Sequence, residues 1–132
     1  HVIEYRRDLL PEPERELYIS GDAFAKDWIK KVRNDVFDAP ILVTAGGLFH
    51  YFEEHKVIAL LRMIEQFGNM EVVFDTVNSA EELAAKIGGN VKVIAEEPYY
   101  RYIPKNGLKL STKVSMTVSD QFKMVKMIHL KL

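Results

Sequence analysis

The sequence predicts an α/β fold, a mostly parallel sheet with helices on both faces, and three observations predict it. Short apolar runs alternate along the chain with segments of helical period. Residues 41–43 (ILV) are continuously apolar and closed by a Gly pair, the look of a buried parallel strand emerging into a loop. The ends of the expected strands carry small or acidic residues, Gly21-Asp22, Ala45-Gly46-Gly47 and Asp75, where open α/β sheets gather ligands.

The elements follow in order. Val2, Tyr5 and Leu9 recur at helical spacing, so the chain starts inside an amphipathic helix with Arg6, Arg7 and Asp8 toward water. Pro11 and Pro13 end it, because proline disfavours helical geometry in the residue before it. Residues 16–20 then read as a short strand built on Leu17, Tyr18 and Ile19. Phe24, Trp28, Ile29 and Val32 make the stripe of a second helix, with Lys26, Lys30, Lys31 and Arg33 as its solvated face.

After the strand at 41–43, Glu53 and Glu54 complement the dipole of a helix start. Val57, Leu60, Leu61, Ile64 and Phe67 keep a helical period up to Gly68, a natural stop. Residues 70–77 (MEVVFDTV) are the next strand. Ser79 and Glu82 form an S-x-x-E capping box, opening a helix that holds Leu83 and Ile87 and ends at Gly88 and Gly89.

Residues 91–95 read as a strand that Pro98 breaks, with Tyr99, Tyr100 and Tyr102 packing behind it. Residues 105–107 (KNG) signal a turn. Leu108, Leu110, Val114, Met116 and Val118 sit at even positions, a strand-like period. Leu110, Val114, Val118 and Phe122 also fit i, i+4, so helix and strand both stay open there. Residues 122–132 read as a closing strand.

Composition narrows the class. A chain of 132 residues that is 48% hydrophobic and 28% charged suits one globular domain. A net charge of −1 supplies no electrostatic reason for a nucleic-acid or anionic-membrane partner. The absence of cysteine excludes a disulfide framework and thiolate metal sites. No apolar run approaches the ~20 residues of a membrane span and no signal peptide opens the chain, so the expected location is cytoplasmic.

Chemical motifs are few. His50 and Glu54 lie at i, i+4 without a further ligand at metal-site spacing, so the pair reads as structural and no metal is expected. His55 is expected to be exposed and His129 to sit in the last strand. There is no G-x-S-x-G elbow, no phosphate-binding loop and no G-x-G among the glycines. Gly46 and Gly47 let the backbone turn sharply or a ligand approach closely. Three such strand ends could line one crevice, and by spacing alone they describe an α/β ligand site and no more.

The blocks HVIEYRRDLLPE, YISGDAFAKDW, ILVTAGGLFHYFEEHKVIALLRMI and EVVFDTV, in this order, carry a resemblance. The chain resembles S-adenosylmethionine-dependent O-methyltransferases, nearest in pattern to the tetracenomycin polyketide and leucine carboxyl methyltransferase superfamily. The likeness covers most of residues 2–77, and the closing EEPYY and KMVKMIHLKL also look familial. It implies a Rossmann-like class I methyltransferase sheet with an antiparallel last strand. Gly21, Asp22, Ala23 and Phe24 would edge the adenine pocket, Asp22 accepting from the adenine amino group unless it only caps the helix of Trp28. Ala45, Gly46 and Gly47 would lie beneath the methionine end of the cofactor.

Departures from the pattern shape what is implied. The family's first strand, glycine-rich loop and ribose-gripping acid lie upstream of the block that opens this chain. Gly46 stands where many members carry a glutamate, and the step from Val77 to Ser79 is short of a helical excursion. Residues 1–132 are thus expected to form a single domain, the C-terminal part of a methyltransferase whose sheet is incomplete without the glycine-rich half. The implied cofactor is S-adenosylmethionine and the implied acceptor a hydroxyl or carboxyl of a small molecule. Self-association, or a partner supplying the N-terminal half, would cover the open edge of the strand at 41–43. The alternative is a non-catalytic α/β module that binds a partner chain or another nucleotide-like ligand. No residue stands out as a catalytic base.

Overall fold

The computed structural model describes residues 2–10, 14–102, 106–118 and 124–132, and the chain divides into two units, residues 1–37 and residues 38–132. In the first unit, α1 (Val2–Leu9) is the expected helix, but Val2, Tyr5 and Leu9 are all exposed. Its polar face is engaged instead. Arg7 donates to the Tyr18 carbonyl at 3.1 Å, and the Arg6 guanidinium lies 4.9 Å from the centre of the Tyr18 ring. The expected stops at Pro11 and Pro13 lie outside the described residues.

Residues 16–20 do not form the expected strand. A strand needs a neighbour for its amides and carbonyls, and among the described residues this unit has no second extended segment. The second helix, α2 (Asp27–Val36), starts later than its stripe suggested, leaving Phe24 in the preceding turn. Ile29 is buried, and Lys26, Lys30 and Lys31 face water as expected. Arg33 is half-buried and donates to the Phe37 carbonyl at 2.7 Å, tying down the helix end.

The second unit is built on a four-stranded sheet. Its strands are β1 (Ile41–Ala45), β2 (Met70–Thr76), β3 (Lys92–Pro98) and β4 (Lys126–Lys131), ordered β1-β2-β4-β3. β1 and β2 are parallel, with Ile41 opposite Met70 and Ala45 opposite Phe74. β4 is antiparallel to both β2 and β3, so three strands share one direction and the last runs against them. This is an α/β sheet with the reversed last strand the sequence led us to expect.

One face of the sheet is dry. Val72 lies opposite Leu130 and Phe74 opposite Ile128, and none of the four has measurable exposure. The helices α3 (Glu54–Glu65) and α4 (Ala80–Ile87) pack together on this core. They contribute Val57, Leu60, Leu61, Met63 and Ile64 from α3, and Ala80, Leu83 and Ile87 from α4. The opposite face carries Glu71, Val73, Met127 and His129, all half-exposed, so these two helices do not cover both faces as expected. A cross-strand pair of His129 and Glu71, 2.8 Å apart, suits a face that water reaches.

Four local expectations are corrected. β1 is not fully buried: it is an edge strand, and Leu42 is 59% exposed. The Ser79–Glu82 capping box is not formed, since Ser79 Oγ donates to Glu81 while the first amide of α4, Ala80 N–H, donates to Glu96 on β3 at 2.7 Å. Pro98 does not break β3 but ends it, because an edge strand tolerates a residue without an N–H. β4 starts at Lys126 rather than at residue 122, where its neighbours run out: Lys126 faces Thr76 on one side and Pro98 on the other. Phe122 itself lies outside the described residues.

The remaining segments resolve cleanly. Gly68, at φ 63°, and Gly88, at φ 81°, stop α3 and α4 where expected. Tyr99–Tyr102 is a 3-10 turn that buries Tyr100 and exposes Tyr99 and Tyr102. Asn106 and Gly107 form the expected turn, whose Lys105 is outside the described residues. The ambiguous stretch after it is a helix, α5 (Leu110–Val118), with Leu110 and Val114 exposed. No helix among the described residues is long and apolar enough to cross a membrane.

Candidate functional site

The parallel register of β1 and β2 decides what meets at their carboxyl ends. Ala45 is level with Phe74, so the chain leaving β1 through Gly46 and Gly47 passes beside the next residue of β2, Asp75. Gly47 turns with φ 64°, a left-handed conformation that glycine adopts without strain. Its N–H donates to Asp75 Oδ1 at 2.7 Å. A 3-10 turn, Phe49–Tyr51, follows. Phe49 is buried with its ring centroid 4.9 Å from that of Phe74, which anchors the turn to the core.

That anchor places His50 over Asp75. His50 Nε2 lies 3.2 Å from Asp75 Oδ2, with 35% of the His50 side chain and 10% of the Asp75 side chain exposed. Asp75 thus engages both oxygens, one with a backbone amide and one with the imidazole. A carboxylate accepts only, so we assign the proton of this contact to Nε2, which leaves Nδ1 as the imidazole's acceptor nitrogen. The orienting carboxylate fixes both the ring's tautomer and its plane.

Beside this dyad is a cavity of about 250 Å³. Phe49, Phe52, Val57 and Val77 form its apolar walls, and His50, Thr76 and Asn78 bring polar groups. Glu54 stands at its rim, where it pairs with Lys86. The hydrogen bond to Glu54 raises the Lys86 ammonium above its ordinary value. Glu54 therefore bonds away from His50, and the i, i+4 pairing is not used. Among the described residues no group of three or more His, Asp or Glu side chains is placed to hold a metal ion.

The other strand-end residues fall as follows. Ala45 closes β1, half-buried. A Cβ added at Gly46 or Gly47 would meet no atom within 4 Å, so the space beside this backbone is open. Gly21, Asp22 and Ala23 line a separate cavity of about 220 Å³ in the first unit, with Ile19 and Trp28. Trp28 donates its indole N–H to the Ala23 carbonyl at 2.8 Å, which shapes that cavity. Asp22 does not cap α2. Its Oδ1 accepts from Phe24 N–H at 2.9 Å and its carbonyl from Ala25 N–H at 3.0 Å, an Asx turn ahead of the helix start at Asp27.

The pairing of His50 with Asp75 escaped the sequence reading, which had weighed His50 only against Glu54. The signal was present in the two strands' alignment: once residues 41 and 70 are set level, the loop after β1 falls beside Asp75. His55 is exposed and His129 lies in β4, both as expected. No family model, no curated protein and no solved structure matches this chain.

Proposed function

We propose that these residues form the C-terminal part of an S-adenosylmethionine-dependent O-methyltransferase acting on a small molecule. The observation that carries this reading is the meeting of Gly47 and Asp75 at the carboxyl ends of parallel β1 and β2, in a sheet whose last strand is reversed. The resemblance of the sequence blocks assigns the methionine end of the cofactor to that same Ala45-Gly46-Gly47 backbone, where the space is open. When bound, the cofactor supplies an electrophilic methyl. The chain supplies the surfaces that hold it and orient an acceptor.

Calorimetry tests the reading. The 132-residue chain has no glycine-rich loop, and each such charged or buried hydrogen bond is worth ~1–3 kcal/mol. Loss of two or three predicts binding of S-adenosylmethionine that is orders of magnitude weaker for these residues alone than for a polypeptide that joins them to a glycine-rich half. Absence of binding in both forms refutes the proposal. Stable capture of a partner chain without cofactor binding points to a non-catalytic α/β module instead.

A further inference from the structure

We infer that the outer edge of β1 is an interface at which a second copy of this chain pairs antiparallel with the first, about a two-fold axis at Val43. The inference rests on the sheet and not on the methyltransferase reading, so binding of S-adenosylmethionine, or its failure, does not bear on it.

The two edges of the sheet are unlike. β3, at one end of the order β1-β2-β4-β3, has a register irregularity between Val93 and Ala95, an exposed lysine at Lys92 and Pro98 at its end. A bulge, a lysine and a proline each spoil a strand as a template for another chain. β1, at the other end, reads ILVTA, with no charge, no proline and an unbroken register against β2.

The ladder to β2 fixes which backbone groups of β1 face outward. Ile41 N–H donates to the Asn69 carbonyl at 3.1 Å. Backbone groups alternate in direction along a strand, so Ile41, Val43 and Ala45 bond toward β2. The N–H and C=O of Leu42 and Thr44 point the other way, where the sheet has no further strand among the described residues.

A second copy satisfies these groups in one register. With Val43 opposite Val43, Leu42 of each copy faces Thr44 of the other, and each such pair exchanges both of its hydrogen bonds. A centre on Leu42 would set Thr44 against Pro40, which has no N–H to give. A centre on Thr44 would set Leu42 against Gly46, past the end of the strand at Ala45. The side chains agree with the Val43 register. Leu42 and Thr44, both exposed, meet on the open face, while the half-buried Ile41, Val43 and Ala45 meet their counterparts on the dry face. No charge opposes a like charge anywhere along the pair.

The chain has no cysteine, so a single introduced one reports the register. Val43→Cys puts like residues directly across the axis, within the reach of a disulfide, and mild oxidation should link the copies. Leu42→Cys and Thr44→Cys leave like residues staggered along the strands, beyond the ~7 Å that a disulfide spans between Cα atoms, and should stay unlinked. The wild-type chain should sediment as a monomer–dimer equilibrium across a dilution series. Where most chains are paired, the Leu42 and Thr44 amides should exchange hydrogen about tenfold more slowly than in the monomer, while those of Ile41 and Val43 are slow at every concentration. Thr44→Pro removes an outward N–H without touching the bonds to β2, and should raise the dimer dissociation constant about tenfold or more with circular dichroism unchanged.

A wild-type monomer throughout the dilution series overturns the inference. So does a cross-link in Leu42→Cys or Thr44→Cys as rapid as that in Val43→Cys, or fast exchange at Leu42 and Thr44 at every concentration. The wild-type measurements and the cysteine series decide even if the Thr44→Pro chain does not fold.

Discussion

Glu96 joins three elements and offers the sharpest test of how the sheet holds its helix. From β3, one carboxylate oxygen accepts from Ala80 N–H, the first amide of α4, at 2.7 Å. The other lies 2.6 Å from the Lys126 ammonium on β4, and only about a quarter of either side chain is exposed (25% and 28%). Glu96→Gln keeps a carbonyl oxygen for the amide but loses the ion pair, a cost of ~1 kcal/mol. Glu96→Ala also removes the cap, which adds ~0.5–2 kcal/mol, for a total of ~1.5–3 kcal/mol. Urea denaturation at neutral pH measures both.

The same carboxyl fixes a pH signature. Its hydrogen bond with Lys126, then that with Ala80 N–H, hold it below its ordinary value of 4.5. The folded state therefore favours the ionised form, and the stabilisation is fully present above 4.5. It is lost as pH falls through the lower folded value. The stability gap between the wild-type chain and Glu96→Gln should close over that acid window. A gap that persists unchanged in strong acid, or a Glu96→Ala chain as stable as wild type at neutral pH, refutes the reasoning.

The two glycines of the site loop and the sheet edge add further tests. Gly47→Ala should destabilise by ~1–2 kcal/mol because a Cβ is strained at φ 64°, whereas Gly46→Ala, with open space and no positive φ, should be close to neutral in thermal or urea melts. Leu42, 59% exposed on edge strand β1, should promote self-association; Leu42→Lys should lower the sedimentation-derived oligomer fraction without altering circular dichroism.

Much of the fold was legible because burial and local period agree. Val57, Leu60, Leu61 and Ile64 keep a helical spacing and all four are buried in α3. Gly68 and Gly88 take positive φ at the stops they mark. Legibility failed where a segment's state depends on a partner far along the chain. Residues 16–20 have strand-like composition but no strand to pair with among the described residues of their unit. The capping box failed too. Ser79 and Glu82 have the right spacing, but Ser79 Oγ donates to Glu81 and makes no cap, and the helix start is served instead by Glu96, sixteen residues away, which accepts from Ala80 N–H.

The site divides along the same line. Gly46, Gly47 and Asp75 were legible one at a time, because each sits where an apolar run ends and polar or flexible residues begin. Their meeting at one crevice was legible too, but the bond from Gly47 N–H to Asp75 was not, since it depends on the register of the parallel pair, which no short turn in the sequence announces. His50 was the hardest to place. Local spacing tied it to Glu54, four residues away. A 3-10 turn ends before α3 begins, so His50 and Glu54 belong to different elements. Phe49 then decides the matter: its packing on Phe74 pins the turn against β2, and the neighbouring His50 has Asp75 within reach. The chemistry of the loop is thus set by an apolar contact one residue away, which is why a search for polar motifs alone passes over it.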